Sequence, residues 1–253
     1  MKRLWFYGFA LFLLAAIAQF PAAWLAPWTA QATQQRWRLG SVEGTIWRGQ
    51  ATLSAFDRRS GRWHPGIGIR WRLVWSELPR GRAAVQMDLN DGGQLQLSAA
   101  YRGWSVDRID AALPVAYAAA LLPGPLGEYG WSGTAQARGT GFSCRWSRPF
   151  CTGQIDLQLR NAAVAELPGP ALGDFRVRVT AEGEALRFDV GTLLGRLQIA
   201  GAGELTAETL RFSGEAEAKG EGAAGLEAVL RAMGRPGSAT GRYLIEYKEA
   251  LRR

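Results

Sequence analysis

Few residues in this chain could carry chemistry on their own. His64, Cys144 and Cys151 are all the imidazole and thiol groups it has, and a structural zinc site takes about four such ligands. Ser-His-Asp or Cys-His catalysis would have to run through His64, which lies in the turn-like stretch Gly61-Arg62-Trp63-His64-Pro65-Gly66 and reads as an exposed loop histidine. The carboxylate pairs one could assemble, Glu43 with Asp57 or Glu182 with Glu184, fall on turns and strand faces. None gathers around a glycine-rich or histidine-bearing element, so solvated charges explain them more simply than acid-base work. No catalytic residue, metal ligand or cofactor is expected.

The cysteines are separated by Arg145-Trp146-Ser147-Arg148-Pro149-Phe150. That is not the spacing of a thioredoxin-type redox pair, which has two intervening residues. What they do depends on compartment, and therefore on the N-terminus. Lys2 and Arg3 precede an uncharged span from Leu4 to Trp28, 25 residues long and able to cross a hydrocarbon core of about 30 Å. The basic pair favours a cytoplasmic N-terminus, while Trp24 and Trp28 suit the far interface and Pro21 and Pro27 end the helix. Residues 1–28 are read as a single-pass membrane anchor; a cleaved signal peptide ending at Ala16-Ile17-Ala18 is the alternative. Both readings export the remainder, where a Cys144–Cys151 disulfide closing a hairpin is the expected state, with Pro149 suited to the reversal.

The chain has 253 residues, 47% of them hydrophobic, enough for a core. Of its 30 basic residues only Lys2, Lys219 and Lys248 are lysine, so the net charge of +8 reflects an arginine-rich composition more than a nucleic-acid partner. Charge is unevenly spread. From Arg36 to Arg82 ten arginines face only Glu43, Asp57 and Glu77, a net of +7, whereas residues 161 to 230 carry a net of −5. The two ends of such a chain face different neighbours. Arg-Trp interleaving in Arg36-Trp37-Arg38 and Arg70-Trp71-Arg72 resembles a single-strand nucleic-acid surface, but alternation sends Trp71 to the face opposite Arg70 and Arg72. With export, this excludes a nucleic-acid ligand.

Beyond a polar linker, 29–36, the sequence reads as strand. Ile67, Ile69, Trp71 and Leu73 alternate with Arg70 and Arg72, and similar runs occur at 83–89, 94–101, 152–159, 175–181, 196–200, 209–218 and 241–247. Turn residues such as Asn90-Asp91-Gly92-Gly93 separate them, predicting antiparallel hairpins. Helices are expected over 111–122 and 225–233. The fold class is mainly β: one N-terminal transmembrane helix, then a long curved antiparallel sheet over 37–253 with two short helices. Gly44 to Ala51 echoes Trp131 to Ala137, and Gly81 to Met87 echoes Gly195 to Ile199. This is either a duplicated β-unit, with halves 37–125 and 126–247, or chance similarity in a Gly/Ala/Arg-rich chain.

In order, the anchor, Val42-Glu43-Gly44-Thr45-Ile46-Trp47-Arg48-Gly49, Trp71-Arg72-Leu73, Glu77-Leu78-Pro79-Arg80-Gly81-Arg82 and the Cys144 and Cys151 pair followed by Gly153 resemble protein N of the bacterial type II secretion system. Pro79-Arg80 departs from the more apolar stretch expected before Gly81-Arg82. The resemblance covers nearly the whole exported region. It implies a bitopic protein of the bacterial inner membrane with a periplasmic β-domain, accessory to the secretion platform, with other secretion components and the bilayer as partners and no catalytic residues to carry over. Arg48, Arg58 and Arg72 are the candidate contacts to a partner or to the membrane surface. The competing function is a membrane-tethered lipid-binding or lipid-transfer module, whose curved apolar groove would take a lipid ligand.

Overall fold

A computed structural model describes residues 2–250 except 59, 91, 121–128, 148–149, 168, 221–222 and 238. Helix α1 covers Lys2–Ala18, a 3-10 turn Ala22–Trp24, and helix α2 Leu25–Ala32. Strands β1 (Trp37–Gly44), β2 (Arg48–Asp57), β3 (Arg62–Trp63) and β4 (Ile67–Val74) follow, then a 3-10 segment Trp75–Arg80. Next come β5 (Arg82–Leu89), β6 (Gln94–Ala100), β7 (Gly103–Pro114), α3 (Val115–Ala119), β8 (Trp131–Arg145) and β9 (Cys151–Val164). The chain continues through β10 (Gly173–Gly183), β11 (Ala185–Gly195), β12 (Leu197–Leu205), β13 (Thr209–Ala218), α4 (Ala223–Met233), β14 (Arg235–Pro236) and β15 (Arg242–Ala250).

The mainly-β expectation holds. The strands form one antiparallel sheet in nearly sequential order, with β3 pairing β2 off the main path and β14 lying outside β15 at the edge. Register explains why this sequence makes it. Trp71, Met87, Leu95, Ile109, Gly139, Ile155, Val179, Phe188, Gly203, Phe212 and Tyr247 are successive cross-strand partners, an apolar row running from β4 to β15. Gly203 is needed in that row: a Cβ there would run into the Phe188 ring, which stacks with Phe212 at 6.2 Å. Every buried cluster draws on the same face. Ala22 and Leu25 pack with Ala51 and Trp71, Tyr117 of α3 with Leu53 and Ala55, and Leu226 and Leu230 of α4 with Phe175, Ala216 and Tyr243.

The sheet curls around this face. Helix α3 touches both β2 and β8, five spacings apart in the strand order. Five spacings on a flat sheet would span about 24 Å, against about 10 Å for the width of a helix. The Tyr117 hydroxyl donates to Leu53 O at 3.2 Å and to Pro65 O, and Arg36 Nη1 donates to Ala120 O at 3.1 Å.

Three expectations change. The uncharged span is not one helix: α1 stops at Ala18, Pro21 bridges to Thr45, and Ala22 is fully buried against the sheet. Pro21, lacking an N–H, breaks the run, and burial of the apolar residues beyond it offsets the cost. Among the described residues no helix is long and apolar enough to cross a membrane. Residues 29–36, expected as a linker, are the last turn of α2 and the turn into β1. The helix expected from Ala111 begins at Val115, because Ala111 and Leu113 belong to β7 opposite Ala137 and Ala135; 121–122 lie outside the described residues.

Of the two echoes, Gly81 and Gly195 both lead into strands, whereas Gly44 to Ala51 spans the β1–β2 turn and Trp131 to Ala137 lies within β8.

Candidate functional site: the arginine cleft beside the first helix

The face opposite the apolar row is a polar ladder. Glu43, Gln50, Arg70, Asp88, Gln94, Asp110, Arg138, Asp156, Arg178 and Asp189 succeed one another across the strands. Arg138 pairs with Asp110 at 3.4 Å and Arg178 with Asp156 at 3.0 Å. Hydrogen bonds from Gln154 and then Arg178 hold the Asp156 carboxyl below its ordinary pKa. Such exposed pairs each contribute about 0–1 kcal/mol; their larger effect is to fix which face meets water.

At the β1 end the ladder loses its balance of charge. Arg48 and Arg72 are direct cross-strand partners, and with Arg70, Gln50, Glu43 and Asp88 they line a cleft of about 630 Å³. Like charges in register repel. Arg72 Nε and Nη2 donate to Gln86 Oε1 at 3.3 and 3.0 Å, and Gln50 Nε2 donates to Glu43 Oε2 at 2.8 Å. The floor is stiff: Trp71, 6% exposed, donates from Nε1 to Thr45 O at 3.2 Å. Gly44 turns at φ 89°, where a Cβ would stand 2.5 Å from Arg48 O, so only glycine fits that turn without strain.

The third candidate, Arg58, is elsewhere. It follows β2 at its other end, about 30 Å from Arg48 along the strand, beside Arg36, whose guanidinium burial and then Arg58 push below its usual pKa. Lys2, Arg3 and Leu4 open α1, and Trp24 and Trp28 are 65% and 67% exposed on the segment after it. Cys144 and Cys151 are disulfide-bonded, facing each other across β8 and β9 where the turn closes. His64 lies in the segment between β3 and β4, its ring 6.2 Å from that of Tyr117. A second cleft, of about 540 Å³, includes Gln94, Arg108, Asp110, Gln136 and Arg138 in its lining. Both clefts are rich in charged and amide side chains, which suit a polar partner better than an acyl chain, and on the apolar face α2 packs on β1, α3 on β2, β7 and β8, and α4 on β13 and β15.

What sequence reasoning missed is Trp47. Its Nε1 donates to Ile17 O at 2.8 Å, and Ile46 N donates to Phe20 O at 3.1 Å, so the β1–β2 turn that carries Arg48 is bonded to the end of α1. The Trp47-Arg48 dipeptide between two glycines was the visible signal.

No curated protein and no solved structure matches the chain. A family model described as type II secretion system (T2SS), protein N matches residues 35–245. That match takes in the whole sheet from the turn before β1 to within β15, and the chain therefore belongs to the type II secretion system protein N family.

Proposed function

We propose that this protein is a non-catalytic accessory component of the type II secretion platform, tethered to the bacterial inner membrane by α1, with its sheet on the periplasmic side. Its Arg48–Arg70–Arg72 cleft docks an acidic surface of another secretion component. The observation that carries the reading is α1 itself. Trp5, Phe9, Leu11 and Phe12 are 81%, 64%, 69% and 70% exposed, and the helix is joined to the sheet at its last turn rather than packed along it. An apolar helix whose described side chains stand this exposed is stable in lipid, not in water. Its 17 residues extend about 25 Å, and a bilayer accommodates a few Å of mismatch by thinning locally. Lys2 and Arg3 favour a cytoplasmic N-terminus.

A docked acidic partner would relieve the repulsion between Arg48 and Arg72, which supports the second half of the proposal. Photoreactive residues introduced at Arg48 and Arg72, with Arg58 as the distant comparison, test it in cells assembling the secretion system. Reproducible adducts to other secretion proteins from positions 48 and 72 are expected. Adducts to lipid alone from those positions would overturn the docking assignment.

A further inference from the structure

We infer that the end of the sheet nearest α1 rests on an anionic bilayer surface, through successive turns that carry aromatic and arginine side chains. Register gathers these turns. Arg48 opposite Arg72, Arg82 opposite Ala100, Gly103 opposite Arg145 and Cys144 opposite Cys151 place the β1–β2, β4–β5, β6–β7 and β8–β9 connections at one end. They carry Trp47, Trp75 with Arg80, Tyr101 with Arg102, and Trp146 with Arg145; Arg48, next to Trp47, lines the cleft instead. Tyr101 is 96% exposed, and Trp75 and Trp146 are each 60% exposed. At the opposite end of the sheet the exposed aromatic among the described residues is Tyr129, 38% exposed, just before β8.

The rim is held rather than trailing. Trp146 Nε1 donates to Ala100 O at 2.8 Å and its backbone N–H to Arg102 O at 3.2 Å, tying the turns of Tyr101 and Trp146 together. The rings of Trp47 and Trp75 are 5.7 Å apart, and Trp47 bonds the row to the last turn of α1. Water-exposed indoles and phenols beside guanidiniums match the chemistry of a headgroup layer, where Trp and Tyr partition and each arginine gains from anionic lipid. Glu77 is the carboxylate within these four turns. The next turns at the same end carry Glu182, Glu184 and Glu208, so contact runs from β1 to β9 and the acidic half of the rim stands off the bilayer.

This inference rests on α1 lying in the membrane, and the test separates the two. The full chain is reconstituted into nanodiscs of phosphatidylcholine alone or with phosphatidylglycerol, carrying one spin label at Phe12→Cys, Tyr101→Cys or Ser60→Cys. The label at position 101 is expected to lose access to a water-soluble paramagnetic reagent in anionic discs, while that at 60 keeps it. Arg102→Gln and Arg145→Gln should each weaken the contact about fivefold. Positions 60 and 101 equally accessible in anionic discs, with position 12 in lipid, overturns the rim and leaves α1 in place. Shielding of position 101 that ignores both lipid charge and the arginine substitutions overturns the anionic assignment. Position 12 accessible from water overturns the membrane reading of α1.

Discussion

Trp47 and Ile17, thirty residues apart, are joined by a 2.8 Å hydrogen bond from indole Nε1 to the backbone carbonyl. Ile17 O also accepts from the Phe20 N–H at 3.2 Å, and the sheet's first turn supplies its second donor. The bond makes helix and sheet a single mechanical unit at the point where α1 ends. Trp47→Phe keeps an aromatic ring near Trp75 and removes the donor. A lost hydrogen bond of about 1 kcal/mol corresponds to about a fivefold change, so exchange of the Ile46 amide, which donates to Phe20 O, should speed up by that factor, and the global unfolding free energy should fall by no more than about 1 kcal/mol.

Cys144 and Cys151 staple the turn that carries Trp146. Replacing both by alanine should lower the unfolding free energy by about 2.5 kcal/mol, from loop entropy alone. Chemical denaturation of oxidised wild type and double variant measures it, and crosslinking from position 72 should persist at permissive temperature.

Tyr117 is 1% exposed, its hydroxyl donating to Leu53 O and Pro65 O. Tyr117→Phe removes the one hydroxyl proton that these two carbonyls share and should cost about 1–3 kcal/mol in a denaturant titration. Burial raises its pKa above the ordinary 10.0. The folded chain therefore keeps a proton that the unfolded chain releases. The stability this contributes is fully present below pH 10.0 and is lost as pH rises through the folded value. Wild type should lose stability in that alkaline window more steeply than Tyr117→Phe.

Gly44→Ala should cost about 2 kcal/mol, because the left-handed backbone and the approach to Arg48 O act together. At Gly61, with φ 64° and nothing near an added Cβ, the same change should cost about 1 kcal/mol from backbone strain alone. Comparing the two melting curves checks this.

Much of the sheet was legible because alternation was clean, as in β4, where Ile69 and Trp71 face in and Arg70 and Arg72 face out. Strands β1, β2, β11, β7 and β8 were not; for the last two the reason is plain. Register shifts between Gln96 and Leu97 and between Thr140 and Ser143 break the two-residue period, and β8 is rich in Gly, Ser and Thr. The helix expected from Ala111 started too early because a run of small apolar residues suits a buried strand as well as a helix. Uncharged residues after Pro21 read as one membrane span, since hydropathy does not distinguish lipid from the apolar face of a sheet. At the site, the arginines of 36–82 were visible as a charge run. Only cross-strand register could show that Arg48 and Arg72 meet while Arg58 stands at the other end of β2.

The most direct test of the account is whether α1 holds the intact chain in the membrane. Native membranes are washed with alkaline carbonate, and the chain that stays behind is sequenced from its N-terminus. Retention in the pellet with α1 uncleaved is expected, with Ile17 still receiving the Trp47 bond. Release into the supernatant, or a mature chain that starts at Gln19, would contradict it.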